Sequence, residues 1–214
     1  YRGYPELKSA LREKVYENRS VPERVHAFEP SEGEEENLVK RVLQDDMENL
    51  GKALYSVDAA AVESLGDAIL AARSVHCICE RSARVLGEYL HFYLSWFLPH
   101  IHLLEPFYAI ERIANLGPED MLLGFTFNRC IQATVELLAT AKKRKIITGV
   151  VTDCISSPAA RWADYLVGVP SNCISFIDSY AAPISLVNAL CIVVARKCPE
   201  RSEKVFPVVE ELWQ

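Results

Sequence analysis

From Val75 onward the chain repeats one unit, a short apolar run followed by a stretch with helical period. The runs are "VHCIC", "HIHLL", "DMLLGFTF", "KIITGVVT" and "DYLVGV". Between them stand "SARVLGEYLHFYLSWFL", "FYAIERIANL", "CIQATVELLATAKKR" and the short "SSPAARWA". "SYAAPISLVNALCIVVARK" and "SEKVFPVVEELW" close the chain as helices, with Pro207 expected to kink or interrupt the last. Five strands separated by helices imply parallel neighbours joined by right-handed crossovers. The expected fold is α/β: a three-layer α/β/α, doubly wound, five-stranded parallel sheet preceded by N-terminal helices.

Ahead of the sheet, "YPELKSALREKVYE" places Leu7, Leu11 and Val15 on one helical face. "VPERVHAFEPSEGEEE" has the prolines, glycine and acidic run of a linker, expected to be extended. Helical patterns resume at "EENLVKRVLQDDMENLGKALYSV" and, behind Asp58 as N-cap, at "AAAVESLGDAILAARS". With 214 residues, half of them apolar, the chain can bury one sizeable core with a small appendage. A net charge of −6 argues against gripping a phosphodiester backbone unaided. No apolar run approaches the roughly 18 to 20 residues of a membrane span, and no signal peptide opens the chain. Seven cysteines without a framework spacing suit a reducing, cytoplasmic setting. The chain starts at Tyr1, in the approach to a helix, and reads as a piece of a longer protein.

In a doubly wound sheet ligands bind beyond the carboxyl ends of the strands. Two loops leave the sheet there with useful chemistry: Glu80-Arg81-Ser82, and Thr126-Phe127-Asn128-Arg129. The second lies in "MLLGFTFNRCIQATVE", which has the strand–loop–helix order that presents N–H groups and hydroxyls to an anion. Arg129 stands where such loops usually place glycine. Each of these residues also has a plain structural reading: Ser82 as an N-cap, Thr126 and Asn128 as turn formers, Arg129 as a surface partner of Glu136 or Glu80. Cys77, Cys79, His100 and His102 are conceivable as a zinc set across neighbouring strands. Their spacing is not that of a zinc motif, and buried cysteine is commonly plain core, so no metal and no cofactor is expected.

Together these pieces resemble a sugar isomerase (SIS) domain, flavodoxin-like in fold, over about Val75 to Lys197. "GYPELKSALRE" resembles the last helix of the helix-turn-helix domain in the RpiR family of bacterial transcriptional regulators. "AKKRKIITGVVTDCISSPAARWADYLVGV" is similar to that family's T-D…S-P…A-D segment through Thr152, Asp153, Ser157, Pro158, Ala163 and Asp164. The resemblance divides the chain into residues 1–20, the end of a helix-turn-helix domain; 21–44, a linker and the start of a connecting helix; and 45–214, the SIS domain.

The family's two loops usually read G-x-G-x-S and S-x-S-G-x-T. Here they are Ile78-Cys79-Glu80-Arg81-Ser82 and Thr126-Phe127-Asn128-Arg129-Cys130-Ile131, with the glycines gone. Lost glycines hinder close approach of backbone N–H groups to an anion, while Arg81 and Arg129 offer planar forks in exchange. The resemblance implies an effector-sensing and dimerising region, not an enzyme. Ser82, Arg81, Thr126, Asn128 and Arg129 would hold a small anionic metabolite such as a sugar phosphate. It also implies operator DNA bound by an upstream helix-turn-helix, and a homodimer or higher assembly. A sugar-phosphate isomerase with Glu80 as its base, and a dimerisation module without a ligand, are the alternatives.

Overall fold

The computed structural model describes residues 20–29, 37–127 and 130–213. The "YPELKSALREKVYE" helix, the acidic run at 34–36, and Asn128 and Arg129 therefore lie outside the described residues. The five apolar runs form β1 (Val75–Cys79), β2 (Ile101–Leu103), β3 (Met121–Thr126), β4 (Ile147–Thr152) and β5 (Tyr165–Gly168). They pair in the order β2-β1-β3-β4-β5, all parallel. β1 and β3 are buried along their whole length, as central strands covered on both faces must be.

Side chains alternate across the sheet and so divide the core in two. On one face Val75, Cys77, Cys79, Leu123 and Phe125 pack against α3 (Ala59–Ala71), α4 (Arg84–Ser95) and α7 (Ala181–Lys197). On the other, Ile78, Leu122 and Val150 pack against α5 (Ala109–Ala114) and α6 (Gln132–Lys143). Asp58 caps α3 by accepting from the N–H groups of Ala60 and Ala61. α4 comes unusually close to β1 because its Gly87 has no side chain where Cys79 Sγ sits. α2 (Leu38–Ser56) lies over α7, and α8 (Pro199–Leu212) ends the described chain.

Four local expectations change. Val21–Phe28 is a helix, α1, rather than extended linker. Ser20 and Glu23 form a capping box around its start and Pro22 sits in its first turn, where proline's missing N–H costs nothing. α8 runs unbroken through Pro207. "SSPAARWA" shrinks to one 3-10 turn, Ala160–Trp162. A hairpin of β6 (Cys173–Ile174) and β7 (Ile177–Asp178) occupies a stretch without strand signal. α7 is covered along most of its surface by α2, α3, α4 and α8.

The lateral register also decides the conceivable zinc set. His102 lies beside His76, with ring centroids 5.0 Å apart, while Cys77 pairs with Leu103 and faces the opposite layer. The cysteines and His102 therefore point to different sides of the sheet. Among the described residues no cluster of His, Cys, Asp and Glu could hold a metal ion. No single described helix is long and apolar enough to cross a membrane.

Candidate functional site

In this strand order the chain reverses direction between β1 and β3, and the loops after those strands diverge to leave a crevice. A cavity of about 160 Å³ lies there. From the β1 side it is lined by Glu80, Arg81 and Ser82, and from the β3 side by Thr126, Phe127 and Ile131. Thr134 of α6, Phe176 and Asp178 of the hairpin, Tyr180, and Val21 and Arg24 of α1 complete the wall.

The β1 loop is built differently from a glycine loop. Ile78 and Cys79 remain inside β1, and Ile78 is fully buried in the second core layer. Glu80 has extended backbone, φ −124°, which any residue adopts, so losing glycine there strains nothing. The strained position is Arg81, at φ 53° in the left-handed region, which costs an L residue about 1 kcal/mol. Arg81–Ala83 is a 3-10 turn that swings Ser82 toward the crevice before α4 begins. Glu80 projects across to α6, where its Oε2 accepts a hydrogen bond of 3.3 Å from Thr134 Oγ1. What the missing glycine changes is therefore the chemistry of the wall: a carboxylate now lines the cavity.

Ser82 is not an N-cap; no side chain caps the turn or α4. Its Oγ shares a 2.9 Å hydrogen bond with the Tyr180 hydroxyl. Burial pushes the Tyr180 phenol above its ordinary value, with the Ser82 hydrogen bond opposing, so the group is a neutral donor and acceptor at neutral pH. The Tyr180 ring packs edge-on against Phe127 at 5.5 Å. Tyr180, just ahead of α7, thus joins the two loops across the crevice. Thr126 is buried, and its Oγ1 donates to Cys130 Sγ at 3.1 Å. α6 starts at the cavity wall, and among the described residues no side chain caps it. Its first-turn N–H groups and positive dipole end are thereby available to an anion.

Of the five residues expected at the site, Arg81, Ser82 and Thr126 line one cavity, and Asn128 and Arg129 lie outside the described residues. Arg24, Thr134, Asp178 and Tyr180 were not foreseen. Arg24 is 3% exposed, and its Nη1 donates to Cys173 Sγ at the foot of the hairpin. No residue of the T-D…S-P…A-D segment is part of this lining, although the Asp153 charge acts on the Tyr180 phenol, and several of its members do structural work. Asp164 accepts from Thr148 N at 3.0 Å and from Thr148 Oγ1 at 2.8 Å, and it pairs with Lys142. Thr152 Oγ1 accepts from Cys154 N at 3.3 Å, turning the chain out of β4.

The family model for the SIS domain matches residues 69–193. A sequence search of curated proteins finds no match. Among solved structures, the sugar isomerase domain of an RpiR transcription factor from Sphaerobacter thermophilus superposes with a TM-score of 0.77 at 27% identity. That likeness covers 82% of this chain and 99% of the other. The Vibrio vulnificus NanR protein complexed with ManNAc-6P superposes with a TM-score of 0.72 at 15% identity, covering 99% of this chain and 76% of NanR. The phosphoheptose isomerase GmhA from Neisseria gonorrhoeae gives 0.62 at 13% identity, with 73% of this chain and 97% of GmhA covered.

Proposed function

This chain belongs to the SIS domain family, and on that premise we propose that it is the effector-sensing and dimerising region of an RpiR-like, cytoplasmic transcriptional regulator whose crevice takes a phosphorylated sugar. The observation that carries this reading is the composition of one cavity wall at the β1/β3 switch point. Arg24 and Arg81 supply guanidinium forks that match phosphate geometry, and Ser82, Thr126 and Thr134 supply hydroxyls. Glu80 and Asp178, facing the same space, suit the hydroxyl groups of the sugar, which donate to carboxylates. A bare dianion gains less there than a ligand with a phosphate end and a polyol end.

The regulator reading draws on the likeness to the RpiR domain at 27% identity and on the likeness to NanR, which extends over 99% of this chain. Under it, residues 1–20 end a helix-turn-helix domain and 21–44 connect it to the sensor. DNA contact then belongs to an upstream domain, consistent with the net charge of −6 here. A ligand that favours one arrangement of a dimer changes operator affinity by its differential binding to the two arrangements.

Thermal unfolding with a panel of sugar phosphates and their unphosphorylated counterparts tests the reading. A ligand at 100 times its Kd adds about 2.7 kcal/mol, or about 5 to 10 °C for a chain of this size. Stabilisation by phosphorylated members alone supports the sensor, and a flat panel favours a dimerisation module without a ligand. An isomerase is the second reading, because Glu80, Asp178 and the Tyr180 hydroxyl offer groups for proton transfer in the same cavity. Conversion of an aldose phosphate to its ketose, followed by NMR, distinguishes it from the sensor.

A further inference from the structure

α1 reverses the usual pattern of a surface helix, which buries an apolar stripe and exposes its cations. Arg24 is its one buried residue, while Val21, Pro22, Glu23, His26 and Ala27 are exposed. The helix is therefore seated on the body of the domain largely through a guanidinium that enters the cavity wall. The same guanidinium touches Cys173, and the hairpin that begins there contributes Phe176 and Asp178 to the cavity. At its other end α1 is tied to α2: Arg41 Nη1 donates to the Phe28 carbonyl at 3.3 Å, and its guanidinium lies 4.2 Å from the centre of the Phe28 ring.

A second connection runs from the cavity to α2. Ser179, between the wall residues Asp178 and Tyr180, donates its hydroxyl to Asp46 Oδ1 and accepts from Asn49 Nδ2 at 3.4 Å. Asn49 is fully buried in this contact. α2 is thus linked to the cavity indirectly, through α1 and through Ser179, and it carries outward the apolar row Val39, Leu43, Met47 and Leu54.

On the reading above that the cavity takes a phosphorylated sugar, we infer that Arg24 is a ligand-binding residue, and that through it α1 is the element that registers occupancy. A phosphate in the cavity adds charge-assisted hydrogen bonds to the contacts Arg24 already makes and holds α1 more firmly against the domain. An empty cavity leaves α1 seated by fewer contacts. Occupancy of the cavity is thereby read out as a change in how firmly α1 is held. Arg24 takes over the anion-holding role that the glycine loops of the family's pattern perform with backbone N–H groups. The device is a population shift of one helix and needs no rearrangement of the sheet.

Calorimetry and amide hydrogen exchange on the 214-residue chain test this, with ManNAc-6P, glucose 6-phosphate and inorganic phosphate as probes. Saturation with a bound probe is expected to slow exchange over Val21–Phe28 at least tenfold. Arg24→Gln is expected to weaken that probe at least tenfold and to abolish the protection, and Arg24→Lys to restore part of both. Ser82→Ala is expected to weaken binding yet keep α1 protected at saturation. If Ser82→Ala weakens binding while Arg24→Gln binds within twofold of the parent and α1 exchange is unchanged, the role of Arg24 is overturned and the sensor reading stands. If no probe binds the parent chain, the sensor reading fails and the role of Arg24 falls with it. Should Arg24→Gln not fold, exchange in the parent chain decides alone: unprotected α1 at saturation overturns the assignment.

Discussion

Gly87→Ala probes the join between the site and the sheet. Gly87 lies on the buried face of α4, one turn beyond the loop that presents Arg81 and Ser82. An added Cβ falls well inside contact distance of Cys79 Sγ, and it sits 3.2 Å from Leu103 Cδ1 and 3.4 Å from Cys79 Cβ. Cys79 is fully buried at the end of β1 and has one rotatable atom with which to yield. α4 must therefore back away from the sheet. Overpacking of this kind costs about 1 to 3 kcal/mol, and alanine's better helix propensity returns about 1 kcal/mol at most. Because the clash with Cys79 Sγ is severe, the cost belongs in the upper part of that range, and the expected net loss is about 1 to 2 kcal/mol, or about 2 to 8 °C in Tm for a chain of this length. Cys79→Ala removes the obstructing sulfur, so in the double variant the new methyl group fills the space it leaves. Urea denaturation of the four proteins should show a favourable coupling of at least about 1 kcal/mol. Because Ser82 stands in the turn that leads directly into α4, Gly87→Ala should also weaken any ligand of the crevice, and the double variant should recover it. Additive effects, or a Gly87→Ala protein as stable as the parent, would refute the close α4–β1 contact as the constraint on this loop.

Burial, reinforced by His102, pushes His76 down to about 4 from its usual 6.5, so the folded chain refuses a proton that the unfolded chain accepts. Stability is then complete above about pH 6.5 and falls by up to about 3 kcal/mol as pH drops toward 4, with His76→Leu flattening most of that slope in urea denaturation. Asp120 is fully buried and held well below the usual carboxylate range, first by Arg73 and then by hydrogen bonds from Gly117 N and Ser74 Oγ. Its contribution is present above about pH 4 and lost as pH falls further; Asp120→Asn should cost about 2 to 3 kcal/mol at pH 7 and remove the acid-side loss. Val39, Leu43, Met47, Leu50 and Leu54 form one exposed apolar row on α2. Light scattering at micromolar protein should give a dimer that Leu43→Glu with Leu54→Glu dissociates, and a monomeric parent chain would exclude this row as a seam.

The sheet was legible because its signal is redundant: five unbroken apolar runs each precede a periodic segment, and buried parallel strands tolerate little else. The position of the crevice followed from topology, and Ser82, Arg81 and Thr126 from the loops that border it. Arg24 was hidden by composition. Two prolines and an acidic run make residues 21–36 read as linker, although Ser20-Val21-Pro22-Glu23 spells a capping box with proline in the first turn. Giving that local signal precedence over composition finds α1, but not that its arginine turns inward, which depends on the hairpin it meets. Tyr180 was equally hidden, reading as part of the first turn of an apolar helix. Its role arises from a contact with Ser82, 98 positions away, that no local pattern encodes. The missing glycines pointed to a site with poorer access to backbone N–H groups; that Glu80 would be extended and Arg81 left-handed is a property of the turn that no local pattern encodes.

The most direct measurement is the position of the phosphorus atom in a crystal of this chain grown with whichever sugar phosphate stabilises it most. A phosphate within hydrogen-bond distance of Ser82 Oγ and Thr126 Oγ1, with the sugar hydroxyls turned toward Glu80 or Asp178, is the predicted result. A phosphate elsewhere, for example in the apolar groove between Trp96, Ile192 and Phe206, with the β1/β3 crevice filled only by solvent, would contradict it.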